Sequence, residues 1–366
     1  MTDSFDVAII GAGMAGASLA AECAPHARVL LVEAEDVPGY HTTGRSAAFW
    51  EETYGGTGIY PLTAASGRFL QDGGYLAPRG ALNIGQAQDR AKVEAFVDRF
   101  AELGVNVRLV GRSELTGIVP GLKDDWVVGS SQPDCADIDV AALHQHYLAA
   151  SKRTGTVLRV RARVEGLERD GAGWRLEWRG GQARAALLVN AAGAWADGLA
   201  GLAGASALGI APLRRTIAQL RTDPEPPANL PLTFGINEDF YFKPQGGRLW
   251  LSPHDETPDV ARDAAPEELD VAIAIDRMSH VLDWKIEALE RRWAGLRSFA
   301  PDRLPVYGFD PRVDGFFWFA GQGGFGIQTA PAAARLAAQL LLGLARDAMT
   351  EALDATWYSP ARFTGV

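Results

Sequence analysis

The chain has 366 residues, of which 47% are hydrophobic and 22% charged, with 41 glycines. That balance excludes a disordered chain, a coiled coil and a collagen, and the length supports a sizeable core in one large domain or two. A formal charge of −10 without any basic run argues against nucleic acid or an anionic membrane as partner, and two cysteines, Cys23 and Cys135, make no disulfide framework and fit a reducing cytoplasm.

In chain order, the acidic opening Met-Thr-Asp-Ser-Phe-Asp argues against a secretory signal. Phe5 to Ile10 reads as a buried strand, Ala17 to Ala24 as a helix and Arg28 to Glu33 as a second strand, which makes a βαβ unit and a parallel sheet. Gly39 to Tyr60 reads as irregular. Gln86 to Gly104 has the pattern of an amphipathic helix, and Val140 to Lys152 that of a helix behind an acidic N-cap. Val157 to Glu168, Gly173 to Arg179 and Gln182 to Leu188 alternate as strands, and Leu187 to Asn190 ends in a small-residue turn. Between 211 and 310 prolines cluster, Phe240 to Pro244 and Arg248 to Ser252 read as antiparallel strands, and Glu267 to Val281 as a helix. Gly315 to Ala320 is a strand, Gly321 to Gly326 a glycine loop and Thr329 to Gly343 a helix. The most apolar stretch, Ala332 to Ala345, carries Arg335 and Gln339 and falls short of the roughly 18 to 20 residues of a membrane span. The expected class is α/β, α+β overall: a Rossmann-like domain with an inserted mixed or antiparallel sheet.

Three segments carry chemistry. Gly11-x-Gly13-x-x-Gly16 follows a strand and opens a helix. Its glycines permit the tight turn, the approach of a pyrophosphate and close helix packing, and Glu33 ends the next strand where a carboxylate holds a ribose hydroxyl. An acid there disfavours a 2′-phosphate, which leaves FAD or NAD. Gly321-Gln322-Gly323-Gly324-Phe325-Gly326 suggests a backbone that comes close to something flat or charged. Gly39-Tyr40-His41-Thr42-Thr43-Gly44-Arg45-Ser46-Ala47-Ala48 brings hydroxyls and a guanidinium close behind the first βα unit. His144 and His146 point to different helix faces and are no metal pair, and CxxC, HExxH and GxSxG motifs are absent, so no metal is expected.

The fingerprint, Gly44 to Ala48, Val189-Asn190-Ala191-Ala192-Gly193-Ala194-Trp195, Trp293 to Ser298 and Gly321 to Gln328 together resemble the FAD-dependent D-amino acid oxidase superfamily, over about residues 5 to 330. Within it the nearest resemblance is to the bacterial D-arginine and D-amino acid dehydrogenases. The resemblance implies a discontinuous FAD-binding domain over 1–75, 150–210 and 312–366, and a substrate domain over 76–149 and 211–311. It implies non-covalent FAD held by Gly11, Gly13, Met14, Ala15, Gly16, Glu33, Ala34, His41, Thr43, Gly44, Arg45, Ser46, Ala47, Ala48, Val164, Ala192, Gly193, Trp195 and Arg297, together with Gly323, Gly324, Phe325, Gly326, Ile327 and Gln328. Arg297 matches the arginine that grips the substrate carboxylate, Arg215 a second arginine, and Tyr54 and Tyr241 substrate-facing tyrosines. Phe49, Trp50, Ala81, Gly295 and Gln328 complete the expected substrate site. A guanidinium is the natural bidentate partner of a carboxylate.

The implied reaction is oxidative deamination of a D-amino acid in the cytoplasm, with electrons passed to a quinone or other acceptor and Tyr54, Tyr241 or water as base. Ala81 and Phe49 stand where the D-arginine enzyme has a glutamate and a histidine, so apolar or aromatic side chains are expected. A neighbouring acid, Glu51, Glu52 or Glu238, is the alternative that would restore a basic preference. Other readings are an oxidase of a secondary amine or a 2-hydroxy acid, or a flavoprotein subunit of a hetero-oligomer. The sequence carries no signal of oligomeric state.

Overall fold

The computed structural model describes residues 3–363, so Met1 and Thr2 of the acidic opening lie outside it. The first strand, Ser4–Ile10, is apolar and β-branched and is buried along most of its length. It lies in an eight-stranded sheet ordered Val164–Asp170, Gly173–Trp178, Gly181–Asn190, Ser4–Ile10, Val29–Val32, Val157–Arg159. The strand Phe316–Ala320 pairs in parallel with Gly181–Asn190, and Val306–Phe309 runs antiparallel to Phe316–Ala320. Around Ser4–Ile10 the pairing is parallel on both sides, as a βαβ crossover requires.

The crossover helix Met14–Cys23 has small residues nearly all round, because it is enclosed between the sheet and the helices Val140–Arg153 and Ala330–Leu342. The latter buries Ala332, Ala333, Leu336, Ala337 and Leu341 in the same core. Each fully buried leucine there contributes about 1.5–3 kcal/mol over an exposed one.

A second sheet of ten strands builds the other half. Its centre is the antiparallel pair Ala211–Asp223 and Lys285–Phe299, paired from Ala211↔Phe299 to Asp223↔Lys285 with register shifts at Gln219/Leu220 and Arg221/Thr222. Arg248–Ser252, Tyr241–Gln245, Leu232–Gly235, Ala81–Gln86, Trp126–Gln132 and Arg108–Gly111 continue outward from it. The helix Glu268–Ser279 covers it with Val271, Ala274 and Met278 against Leu220, Leu249 and Leu251. A three-stranded sheet of Phe49–Trp50, Ala136–Ile138 and Leu76–Pro78 stands between the two.

The structure corrects several expectations. The amphipathic segment starts with a 3-10 turn at Ala87–Asp89, and its helix covers only Arg90–Ala101. The strand expected over 157–168 is two strands, Val157–Arg159 and Val164–Asp170. Arg161, with φ 54°, turns the chain between them. The segment 39–60 contains the 3-10 turn Thr42–Arg45 and the strand Phe49–Trp50. In the glycine loop, Gln322–Gly323 pairs with Ser298 and Phe299. No helix among the described residues is long and apolar enough to cross a membrane.

Candidate active site

Between the two large sheets lies a cavity of about 390 Å³. At one end is the glycine turn. Gly11 has φ 103°, and a Cβ there would stand 2.4 Å from the Ala191 carbonyl oxygen. Gly13 caps the helix Met14–Cys23 without any side-chain hydrogen bond, and the first turn holds no acid, so the positive helix end faces the cavity unneutralised. Thr43 Oγ1 accepts the Met14 N–H at 3.0 Å. Glu33 accepts from the Ala12 and Glu35 N–H groups at 2.8 and 2.9 Å. That fixes the carboxylate and leaves acceptor capacity for a ribose hydroxyl. His144 reaches over from its own helix to bond the Ala12 carbonyl at 2.9 Å, and burial lowers its pKa, so it supports the turn as a neutral imidazole. A helix end capped by a glycine, a glycine cradle and an anchored acid fit a dinucleotide.

At the other end the second sheet contributes its arginines. Arg215 pairs with Gly295 and Leu213 with Arg297. Side chains alternate along a strand, so Arg215, Leu213 and Arg297 share one face, and the two guanidiniums are diagonal neighbours there. Arg214 turns the opposite way, into a buried network with Asp270, Glu267 and Asp259 at 3.0, 2.6 and 3.3 Å. Arg297 donates to the Tyr54 hydroxyl at 3.3 Å and to Glu256 at 2.7 Å, while its Nε is buried without a partner. Arg215 is held by the Asp255 and His254 carbonyls, with its guanidinium 5.7 Å from the Tyr241 ring centroid. Phe49, Tyr54, Phe234 and Tyr241 form an aromatic box beside them, with Phe49 4.9 Å from Tyr54 and Phe234 5.6 Å from Tyr241.

Burial pushes the Tyr241 hydroxyl up, against the pull of Arg215. It is therefore protonated at neutral pH, with the Ser252 side chain hydrogen-bonded to it. Burial and the charges of Arg215 and Arg297 push His254 far down, so it is neutral. Its Nδ1 donates to the Glu238 carbonyl at 2.7 Å. Burial raises Glu256, but the hydrogen bond from Arg303 and the charges of Arg297, Arg303 and Arg215 outweigh it and hold the carboxyl below its ordinary value.

Of the residues singled out in the sequence, the cavity is lined by Gly11, Gly13, Met14, Ala15, Glu33, Ala34, His41, Thr43, Arg45, Ser46, Ala47, Ala48, Phe49, Tyr54, Val164, Ala192, Gly193, Trp195, Arg215, Tyr241, Gly295, Arg297, Gly323, Gly324, Gly326, Ile327 and Gln328. Five others stand back from it. Gly16 and Gly44 serve packing, since a Cβ on them would lie 1.7 Å from the Gly11 oxygen and 2.9 Å from the Gly39 oxygen. Trp50 faces the helix Tyr60–Asp72, donating its indole N–H to the Thr63 carbonyl at 3.1 Å. Ala81 is packed behind Phe49, Ile217 and Tyr241, and Phe325 lies against Tyr54 and Phe299. Neither Glu51, Glu52 nor Glu238 lines the cavity.

Ile217, Glu35 and Arg163 also line the cavity, and Glu256 stands behind Arg297, outside every motif of the sequence. Ile217 was findable as the residue two beyond Arg215. Glu256 had no local signal, because its partner stands 41 residues away. Among the described residues no group of His, Cys, Asp and Glu side chains could hold a metal.

The family described as DAO, FAD dependent oxidoreductase, matches residues 6–340. Glycine oxidase of Geobacillus kaustophilus (strain HTA426) is 25% identical over 364 residues, covering 93% of this chain and 94% of that protein. The crystal structure of glycine oxidase from Geobacillus kaustophilus shares the fold with a TM-score of 0.84 at 23% identity, covering 99% of each chain. That of L-proline dehydrogenase from P. horikoshii does so with a TM-score of 0.86 at 20% identity, covering 100% of this chain and 99% of that one.

Proposed function

The chain belongs to the DAO family of FAD-dependent oxidoreductases, and from that premise we propose that it catalyses oxidative deamination of D-amino acids to 2-keto acids and ammonia, favouring apolar and aromatic side chains. The observation that carries this reading is that Arg215 and Arg297 face the same cavity as the dinucleotide turn, beside the aromatic box. FAD would be held by the glycine turn and Glu33 and would supply the two-electron acceptor for the Cα hydride, with a quinone or another acceptor to reoxidise it. Arg297 receives the substrate carboxylate on the guanidinium edge that lines the cavity. Tyr54, already bonded to Arg297, limits how the carboxylate can turn. The aromatic box gains roughly 25 cal/mol per Å² of apolar side chain it covers, and its burial excludes water from Cα. Hydride leaves only from the neutral amine. The amine sheds its proton to Tyr54, Tyr241 or water before the step. The imino acid then hydrolyses in solution.

The likeness to glycine oxidase along nearly the whole chain supports a second reading, oxidation of glycine or a secondary amine. One experiment separates the two. Flavin bleaching under anaerobic conditions is measured for D-phenylalanine, D-leucine, D-methionine and D-arginine, their L-forms, glycine and sarcosine. Under the first reading an apolar D-amino acid gives the highest kcat/KM. A lead for glycine or sarcosine establishes the second, and a lead for an L-form removes the D-preference. Reduction of a dye by the purified single chain excludes an obligatory partner subunit, and oxygen uptake distinguishes an oxidase from a dehydrogenase.

A further inference from the structure

Two guanidiniums side by side can seat two carboxylates of one substrate as readily as one. In this chain the segment between the strands Arg248–Ser252 and Thr257–Pro258 carries Glu256 to that pair. Its Oε1 lies 2.7 Å from Arg297 Nη2 and 3.7 Å from Arg215 Nη2. Arg303 closes on the same oxygen at 2.7 Å from outside, its guanidinium 4.1 Å from the Phe299 ring centroid, with Arg297 5.1 Å from that centroid. The neighbouring Asp255 carboxylate accepts from the Thr216 N–H and hydroxyl at 2.8 and 3.0 Å. Glu256 stands outside the cavity lining, so the anion position shared by the two cavity arginines is filled from behind.

We propose that Glu256 is a specificity-determining residue: with the protein's own carboxylate it fills the second anion position between Arg215 and Arg297, and so restricts the site to substrates bearing a single carboxylate. This rests on the reading of Arg297 as the carboxylate anchor. A second substrate carboxylate would meet Glu256 across a few ångströms in a water-poor cavity, where like charges repel strongly. Three cations already hold the Glu256 carboxylate ionised at neutral pH. Without that charge, a vacant anion position would stand beside two cations.

The test uses the FAD-loaded protein and two probes without an amine, propionate and succinate, with dissociation constants read from the perturbation of flavin absorbance. Propionate should bind the natural chain at least tenfold more tightly than succinate. In Glu256→Gln that ratio should fall at least tenfold, with succinate gaining affinity in absolute terms. An unchanged ratio overturns the proposal, and so does a parallel loss of both ligands, the mark of a merely structural role. Should Glu256→Gln lose FAD, Glu256→Asp, which withdraws the charge by one methylene, is read in the same way with a smaller factor. Arg297→Met separates the two layers. Retained propionate binding there refutes the anchor, and with it this proposal. Lost propionate binding with an unchanged ratio in Glu256→Gln refutes the selectivity role alone.

Discussion

Arg214 and Arg215 are adjacent in the chain and have opposite fates, because a strand sends successive side chains to opposite faces. Arg297→Met should lower kcat/KM by roughly two to three and a half decades, the equivalent of about 3–5 kcal/mol for a buried carboxylate left without its cation. FAD content should be nearly unchanged, and steady-state kinetics with a flavin absorbance ratio checks both. Arg214→Met should instead leave the buried Asp270 without its cation, while Glu267 is half exposed and Asp259 keeps Arg262, costing about 3–5 kcal/mol of stability in denaturant unfolding. Glu51 is a different case. It is 2% exposed, Thr53 donates to one of its oxygens, the other has no partner, and burial raises its pKa from 4.5 to about 7. The native state therefore binds the extra proton between those values, so this group's contribution to stability is complete below pH 4.5 and is lost as the pH rises through 7. Glu51→Gln, which mimics the protonated acid, should gain on the natural chain by up to about 3 kcal/mol above pH 7 and converge with it in acid. A difference in unfolding free energy that stays flat from pH 5 to 8 would contradict this. The arginines were legible because their motifs are local. The orientations of Trp50 and Ala81 were not, since they are set by the helix Tyr60–Asp72 and by the partner strand Trp126–Gln132. For the same reason Ala81→Glu would bury an acid in an apolar cluster, and it should destabilise the protein rather than recruit a basic substrate.

At the scale of elements, the βαβ unit was readable because its strands, turn and helix are contiguous and each has its own signal. The central pair of the second sheet was not. Ala211–Asp223 is buried on both faces in its middle and so lacks clean alternation, while the first half of Lys285–Phe299 is charged and largely exposed. Their pairing spans some sixty residues of intervening chain, and only the fold brings them into register. Gly16 tests the readable part. A methyl there would stand 1.7 Å from the Gly11 oxygen, so Gly16→Ala must displace either the turn or the helix. Gel filtration without added FAD should strip this variant of its flavin, while the natural chain stays yellow. Its stability should drop by about 1–3 kcal/mol, as for other overpacked sites. A variant that keeps its flavin and its stability would show that the turn tolerates the shift.

For the whole molecule, the cavity is the seam between the two large sheets, and a ligand in it bridges both. Binding only to the native state stabilises by about 2.7 kcal/mol at a hundredfold excess over Kd. Added FAD should therefore raise the unfolding midpoint of flavin-stripped protein, and denaturation should release all flavin into the supernatant. Flavin retained in the precipitate would reveal a covalent bond. The seam also has a consequence for biosynthesis. Its walls come from residues 10–54, 162–164, 191–217, 241, 295–298 and 322–328, so the last wall is contributed when nine-tenths of the chain already exists. A nascent chain ending before the strand Phe316–Ala320 holds the glycine turn, the anchored Glu33 and both cavity arginines, yet lacks the wall of residues 322–328. Cofactor capture thus belongs to the final moments of synthesis or follows them.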